Sequence, residues 1–365
     1  MVPLNSTTPI EQWREEKIVS ILYNNGNGAI AGSVINIAII SSVLMNIYPT
    51  VKILTWFIAG TVLNFVRYFV HKSYFKDSSR ITTRSWLLCS RSFTALSGLL
   101  YGLLPVFFFN SDNHLYQMLV ILLPAGMAAA AVGTHAIDLL TYRLFLVLAI
   151  TPLVIRLFLE ETEAHLITAA MLCLLMLIML RAAMQYRNAM IENIEMTYSL
   201  HYRATHDGLV GLLNREEFKN IFDSTVILTK INNTTTSIIF IDLDNFKTLN
   251  DTFGHQAGDE ALIKIGEIIR SSLRQSDTAA RFGGDEFMIL IQSETVDQAK
   301  VVAQKIIDKI STFQQKLKHD TKLGASIGIG YSNKNRKFDN LLCAADQACY
   351  QAKSGGKGNI CLKEI

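Results

Sequence analysis

The sequence predicts two unlike parts, an all-α membrane-spanning region followed by an α+β domain. Three observations carry that reading. Six apolar runs of about twenty residues, the length a bilayer requires, crowd into the first 183 residues. From about residue 206 the apolar pattern shortens and switches between period 2 and period 3.6, which marks strands interleaved with amphipathic helices. The chain has 365 residues, 50% hydrophobic and only 18% charged, so a membrane part plus one soluble domain accounts for the composition.

Residues 1–27 are polar, and Glu11, Arg14, Glu15, Glu16 and Lys17 predict a short surface helix in a cytoplasmic segment. The runs that follow make residues 28–183 a six-helix transmembrane region, with spans at about 28–48, 51–70, 86–109, 115–134, 139–159 and 164–183. Lys72, Lys76, Arg80 and Arg84 follow the second span, Arg143 lies after the fourth, and Arg181 and Arg187 flank the end of the sixth. Residues 110–114 carry no Lys or Arg, and Glu160, Glu161 and Glu163 make the last outer loop acidic. The positive-inside rule then puts both termini in the cytoplasm. Arg67, Arg91, His135, Asp138 and Arg156 interrupt the spans. Arg67 and Arg156 are expected to snorkel, and His135 and Asp138 to sit at a cytoplasmic interface; Arg91 has no such explanation. No retinal, haem or metal spacing identifies an input.

Residues 184–205 contain no proline or glycine and repeat Ile191, Ile194 and Tyr198 at helical spacing, which predicts a helical stalk able to pair with its twin. Cys89, Cys173, Cys343, Cys349 and Cys361 show no metal or redox spacing and read as inert, reduced thiols. A net charge of +3, from 34 Lys+Arg and 31 Asp+Glu, argues against a nucleic-acid partner.

In residues 206–365 the pattern predicts a helix over 216–231, a strand over 236–241, a helix over 258–273 and a hairpin of 278–282 with 287–291. A helix over 295–317, a strand over 323–331, a helix over 338–353 and a strand over 359–362 follow. Strand–helix–strand–strand–helix–strand is the ferredoxin-like order. Two acidic segments stand out. The hairpin reads Arg281-Phe282-Gly283-Gly284-Asp285-Glu286-Phe287, a Gly-Gly turn whose bare backbone a ligand can approach. Taken alone it is equally a solvated acidic turn. The strand 237–241 runs into Asp242-Leu243-Asp244. A carboxylate at a strand end beside another on a hairpin is an oxygen donor set of the kind Mg²⁺ takes.

The segments IDLDNFKTLNDTFGHQAGDEAL (241–262) and RFGGDEF (281–287) resemble the GGDEF domain of diguanylate cyclases. DGLVGLLNR (207–215) and ADQACYQAK (345–353) resemble that domain's entry signature and closing helix, so the likeness covers about 205–362. It implies a palm-type fold and a homodimer that joins two GTP into cyclic di-GMP, releasing pyrophosphate, with Mg²⁺ or Mn²⁺. The cation is expected on Asp242, the Leu243 carbonyl and Asp285. Asp285 is also implied beside the attacking hydroxyl, with Glu286 supporting it; base character stays unassigned between them. Asp244 is either a further ligand or a strand-end acid bonded to backbone. Asn250 and Asp259 match the guanine-binding positions, and their donor and acceptor pattern would select guanine over adenine. Phe246, Lys247, Lys353 and Lys357 match the phosphate side, and His255 a loop-orienting position. Arg274 and Asp277 match an inhibitory R-x-x-D site for the product. Val210, Cys349 and Lys357 depart from the usual threonine, larger apolar residue and arginine. Spans, charge and resemblance together imply a bacterial cytoplasmic membrane. The rival readings are a degenerate nucleotide-binding domain, and a membrane receptor or transporter with the cyclase as passenger.

Overall fold

The computed structural model describes residues 9–110, 113–229, 234–293, 295–316, 323–333 and 337–365. The chain divides into two compact units, Met1–Tyr198 and Ser199–Ile365. The first is helical: α1 (Pro9–Leu44), α2 (Thr50–Lys76), α3 (Thr83–Gly102), α4 (Leu104–Phe108), α5 (His114–His135), α6 (Leu139–Phe158) and α7 (Glu163–Thr205). With α3 and α4 taken together, six helical segments are long and apolar enough to cross a bilayer. Large apolar side chains point outward from them: Phe65, Met171 and Leu177 are each more than 60% exposed. Water disfavours such faces and lipid does not.

The surface helix expected around residues 11–17 and the first apolar run form one helix, α1, unbroken from Pro9 to Leu44. Its polar first turns have a packing partner. Trp13, Ile18 and Leu22 pack with Ile137, Met190, Ile191 and Ile194, Arg14 pairs with Glu195 at 2.6 Å, and the rings of Trp13 and Tyr198 lie 5.3 Å apart. The stripe Ile191–Ile194–Tyr198, expected to face a twin stalk, is therefore covered by α1. Within this unit most span charges are paired. Arg91 donates to both oxygens of Asp138 (2.8 and 3.0 Å), and Arg156 meets Glu160 at 2.5 Å. Arg67 does not snorkel: it is 5% exposed, because α2 continues to Lys76 and leaves it inside the bundle. His135, expected at the interface, is 4% exposed.

The second unit contains α8 (Arg215–Thr229), β1 (Thr235–Asp244), α9 (Phe246–Phe253), α10 (His255–Arg270), β2 (Thr278–Gly283), β3 (Glu286–Ser293), α11 (Asp297–Lys316), β4 (Gly324–Ser332), α12 (Phe338–Ser354) and β5 (Ile360–Glu364). The expected helix ends at 231 and 317 lie outside the described residues. The sheet order is β2-β3-β1-β4-β5, with β1 antiparallel to both neighbours and β5 added parallel to β4. This is the ferredoxin-like arrangement with one extra edge strand. The period of two along β1 separates two cores. Ile239, Ile241 and Leu243 pack with Leu262, Ile265 and Ile306, whereas Ile238 and Phe240 pack with Phe218, Leu341 and Cys349. The short helix α9 was not anticipated, since its residues read as motif rather than as periodic pattern.

Helix α12 lies directly on the backbone of β4. A Cβ at Gly328 would sit 2.0 Å from the Ala345 carbonyl oxygen and 2.2 Å from the Cys349 nitrogen. The Cys349 thiol donates to the Ser326 carbonyl at 3.3 Å, and burial pushes it up to about 12. Gly328→Ala is therefore expected to destabilise this seat by about 1–3 kcal/mol. Mass spectrometry of thiol labelling checks this: Cys349 should label roughly tenfold faster or more in the variant.

Candidate active site

The site is built at the carboxyl end of the central strand. Asp242 stands opposite Glu286 of β3 on one side and opposite Ser326 of β4 on the other. Alternation turns Asp242 and Asp244 toward the face that α12 covers. The Leu243 N–H donates to the Asp285 carbonyl at 3.3 Å, which ties the strand end to the hairpin tip. In an antiparallel ladder a residue's N–H and C=O point to the same side, so the Leu243 carbonyl also points toward that tip. Asp242, Leu243, Asp285 and Glu286 are thus brought together. Asp244 takes the other of its two readings: 4% exposed, it accepts from the Ser326 hydroxyl at 3.0 Å and from the Gly358 N–H at 3.1 Å.

The turn is Gly284-Asp285, not Gly283-Gly284, because Gly283 pairs with Glu286 in the ladder. Gly284 has φ +52°, a left-handed conformation that glycine adopts without strain. A Cβ at either glycine would meet nothing within 4 Å, so the face of the turn is open to a ligand. Arg281 fixes it from behind. Its Nε and Nη2 donate to the Gly284 carbonyl (3.0 and 2.7 Å), and its Nη1 reaches both carboxylate oxygens of Asp207 at 3.3 Å. Asp207 also accepts from the Leu209 and Val210 amides. Val210 itself is buried in the core. The sequence reading assigned Arg281 and Asp207 no role. Their signal was only their presence in two motifs far apart in the chain.

Burial holds the Asp285 and Glu286 carboxyls above the ordinary carboxylate range, and the charge of Asp242 raises both further. Asp346 on α12 adds to the effect at Glu286. Lys353, expected against phosphate, instead places its ammonium 2.6 Å from Asp242. Burial alone would lower it, but the hydrogen bond and charge of Asp242 prevail and hold it above the usual lysine value. Two carboxylates and a carbonyl are hard oxygen donors, and carboxyls pushed toward protonation are the expected mark of a site short of positive charge. The residues therefore fit a small divalent cation. Among the described residues no three His, Cys, Asp or Glu side chains enclose an ion unaided. That agrees with Mg²⁺, which usually takes one or two carboxylates and completes its shell with water and phosphate.

Beyond β1, Asn250 of α9 meets α10 at Gly258, where a Cβ would lie 1.8 Å from the Asn250 Oδ1. That oxygen is buried without a hydrogen-bond partner. Asp259 and His255 are exposed on α10, as is Lys247 in the first turn of α9. Phe246 opens α9; its ring is in the core, so only its backbone can face a ligand, at the helix end that favours anions. Lys357, in a left-handed conformation (φ +53°), donates to Asn245 Oδ1 at 2.9 Å beside that same end. Arg274 and Asp277 are held together by the Arg274 N–H at 3.0 Å, and Arg274 Nη1 donates to Gln298 at 3.2 Å. They line a cavity of about 200 Å³ with Ile291, Asp297 and Val301. Gln298 was not anticipated.

A carboxyl with a raised folded pKa favours folding only while protonated; its contribution is full below the unfolded value and is lost as pH rises through the folded one. Glu286→Gln is therefore expected to raise the melting temperature at pH 7.5 without divalent cation, by about 1–3 °C. The gain should vanish at pH 4, and the stabilisation given by added Mg²⁺ should shrink. Thermal unfolding at the two pH values checks this.

The profile described as diguanylate cyclase, GGDEF domain, matches residues 204–359. Over 162 residues the chain is 36% identical to the bifunctional diguanylate cyclase/cyclic di-GMP phosphodiesterase MucR of Pseudomonas aeruginosa, covering 44% of this chain and 24% of that protein. Over 155 residues it is 35% identical to the diguanylate cyclase DgcS of Shewanella oneidensis, covering 42% of this chain and 51% of that one. The chain thus spans about half or less of these relatives' own length. A crystal structure of the coiled coil and GGDEF domain of DgcB from Caulobacter crescentus, in complex with c-di-GMP, aligns with 50% of this chain and 99% of its own, at 26% identity and a TM-score of 0.45. The family match runs from the last turn of α7 to residue 359, just before β5, and takes in every side chain of the site just described, so residues 204–359 match the GGDEF domain.

Proposed function

We propose that the chain is a membrane-bound diguanylate cyclase that condenses two GTP into cyclic di-GMP and releases two pyrophosphates. The observation that carries the reading is the Leu243–Asp285 backbone bond, which holds a strand-end acid and a hairpin-tip acid at one place with Glu286 opposite. The names of MucR and DgcS support the same activity. A 3′-hydroxyl attacks an α-phosphorus and pyrophosphate leaves, so positioning and charge neutralisation supply most of the acceleration. Asp242, the Leu243 carbonyl and Asp285 would hold Mg²⁺ or Mn²⁺, which when bound would neutralise the phosphate charge. Asp285 faces the attacking hydroxyl with Glu286 beside it, and one of the two carboxylates takes its proton. Asn250 Oδ1 accepts from a guanine N–H, and Asp259 completes the edge. The first-turn amides of α9, with Lys247, Lys353 and Lys357, receive the triphosphate, and His255 shapes the loop.

Each subunit presents one GTP, so the reaction needs a two-fold dimer. With the stripe around Ile194 covered, Met196 and Leu200, exposed one turn apart on α7, are apolar positions available for that contact. Arg274 and Asp277 bind the product as a feedback site, with Gln298 as a further donor. The apolar faces enter lipid, and the Lys/Arg bias of the connectors sets both termini in the cytoplasm of a bacterial cell, at its inner membrane.

Purified full-length protein in lipid nanodiscs, given GTP and Mg²⁺, is expected to form the cyclic dinucleotide. Asp285→Asn and Asp242→Asn should each lower the rate about 100-fold or more. Arg274→Ala should leave the initial rate nearly intact and abolish inhibition by added product. GTP binding by the parent without dinucleotide formation would leave a nucleotide-binding module instead of an enzyme.

A further inference from the structure

The helical unit contains a buried arginine that no acid among the described residues pairs with. Arg67 on α2 is 5% exposed, and among the described residues its guanidinium makes no ion pair or hydrogen bond. Two acids of the helical unit are engaged with other groups: Asp138 with Arg91 and Thr141, Glu160 with Arg156. Nearby groups do not supply the missing charge. His135 is 4% exposed with its Nδ1 unpartnered, and the buried Asn64 Oδ1 is likewise unpartnered. Ser33 accepts from Asn64 at 3.1 Å and shares a hydrogen bond with the Tyr101 hydroxyl at 3.2 Å. A guanidinium in a low-dielectric interior without a counter-charge is costly, and such groups in membrane spans mark functional sites.

Arg67 opens onto a cavity of about 200 Å³ shared by α1, α2, α3, α5 and α6, with Asn36, Tyr101, His135, Met127 and Phe145 among its walls. At the ~30 Å³ that one water occupies in the liquid, it holds roughly six non-hydrogen atoms. The lining is polar round Arg67 and apolar at Met127 and Phe145. A planar carboxylate matches the guanidinium fork, and one negative charge balances it, whereas a phosphate dianion would leave charge in surplus. We propose that this cavity binds a short-chain monocarboxylate, its carboxylate on Arg67 and its aliphatic end against Met127 and Phe145. The bound acid bridges five helices and is an input to the membrane half, whatever the chemistry of the other unit.

Trp13, Trp56 and Trp86, the chain's three tryptophans, all lie in Met1–Tyr198. Fluorescence-detected melting of full-length protein in phosphatidylcholine nanodiscs therefore reads this unit and not the cyclase reaction. Butyrate at millimolar concentration is expected to raise the melting temperature in proportion to the logarithm of its concentration, while butyramide and phosphate do not. Arg67→Met should melt no lower than the parent without butyrate, and should lose the butyrate shift. Arg67→Lys should weaken the apparent affinity about tenfold, since charge remains and the fork is lost. The proposal is overturned if Arg67→Met melts lower or does not fold, which makes the arginine structural. It also fails if butyramide matches butyrate, if propionate, butyrate and valerate all leave the parent unshifted, or if phosphatidylglycerol nanodiscs reproduce the shift without butyrate.

Discussion

Three carboxyl groups, those of Asp242, Asp285 and Glu286, lie within one another's field because backbone pairing puts them there. Their mutual repulsion opposes the arrangement. The ladder between β1 and β3 sets Asp242 opposite Glu286, and the Leu243 amide on the Asp285 carbonyl closes the strand end on the turn. Sheet hydrogen bonds and two cores thus supply the free energy that concentrates charge at one point. Burial, with the charge of Asp242, raises the Asp285 and Glu286 carboxyls, which poises the point for a cation.

The surrounding residues divide the work of holding that point. Arg281 grips the turn carbonyl and Asp207, so the hairpin tip is fixed from the side a ligand does not use. Lys353 lies on Asp242 because α12 packs without spacing on the glycines of β4. Asp244, two residues from Asp242, is consumed by Ser326 and Gly358 and closes the end of the domain's tail onto β1. Neighbouring acids in one motif therefore have opposite roles: one is left facing open surface, the other is saturated with donors.

The helical unit shows the same contrast between paired and unpaired charge. Arg91 with Asp138 and Arg156 with Glu160 are neutralised across or along helices, and each leaves a local hydrogen-bonded knot. Among the described residues Arg67 has no such partner, and it borders a cavity. The polar start of α1 is likewise explained by contact, since Arg14 and Trp13 pair with Glu195 and Tyr198 of α7.

Much of this was legible in the residues. Apolar run length marked six long apolar helices, and the switch between period 2 and period 3.6 marked the order of the strands along the chain, because both report local solvent contact. The acids at 242 and 285 and the glycine turn were legible because a ligand site demands particular residue types at short spacing. What the sequence left open depends on partners far along the chain. It could not say that Asp244 is saturated while Asp242 is not, or that Phe246 packs inward. Nor could it show that Lys353 reaches a carboxylate or that Arg281 clamps Asp207. It also placed Arg67 at an interface that the neighbouring helices turn into an interior. Local pattern determines which face of an element is apolar; only tertiary packing decides which charge meets which, because that is set by distances between segments that no spacing along the chain encodes.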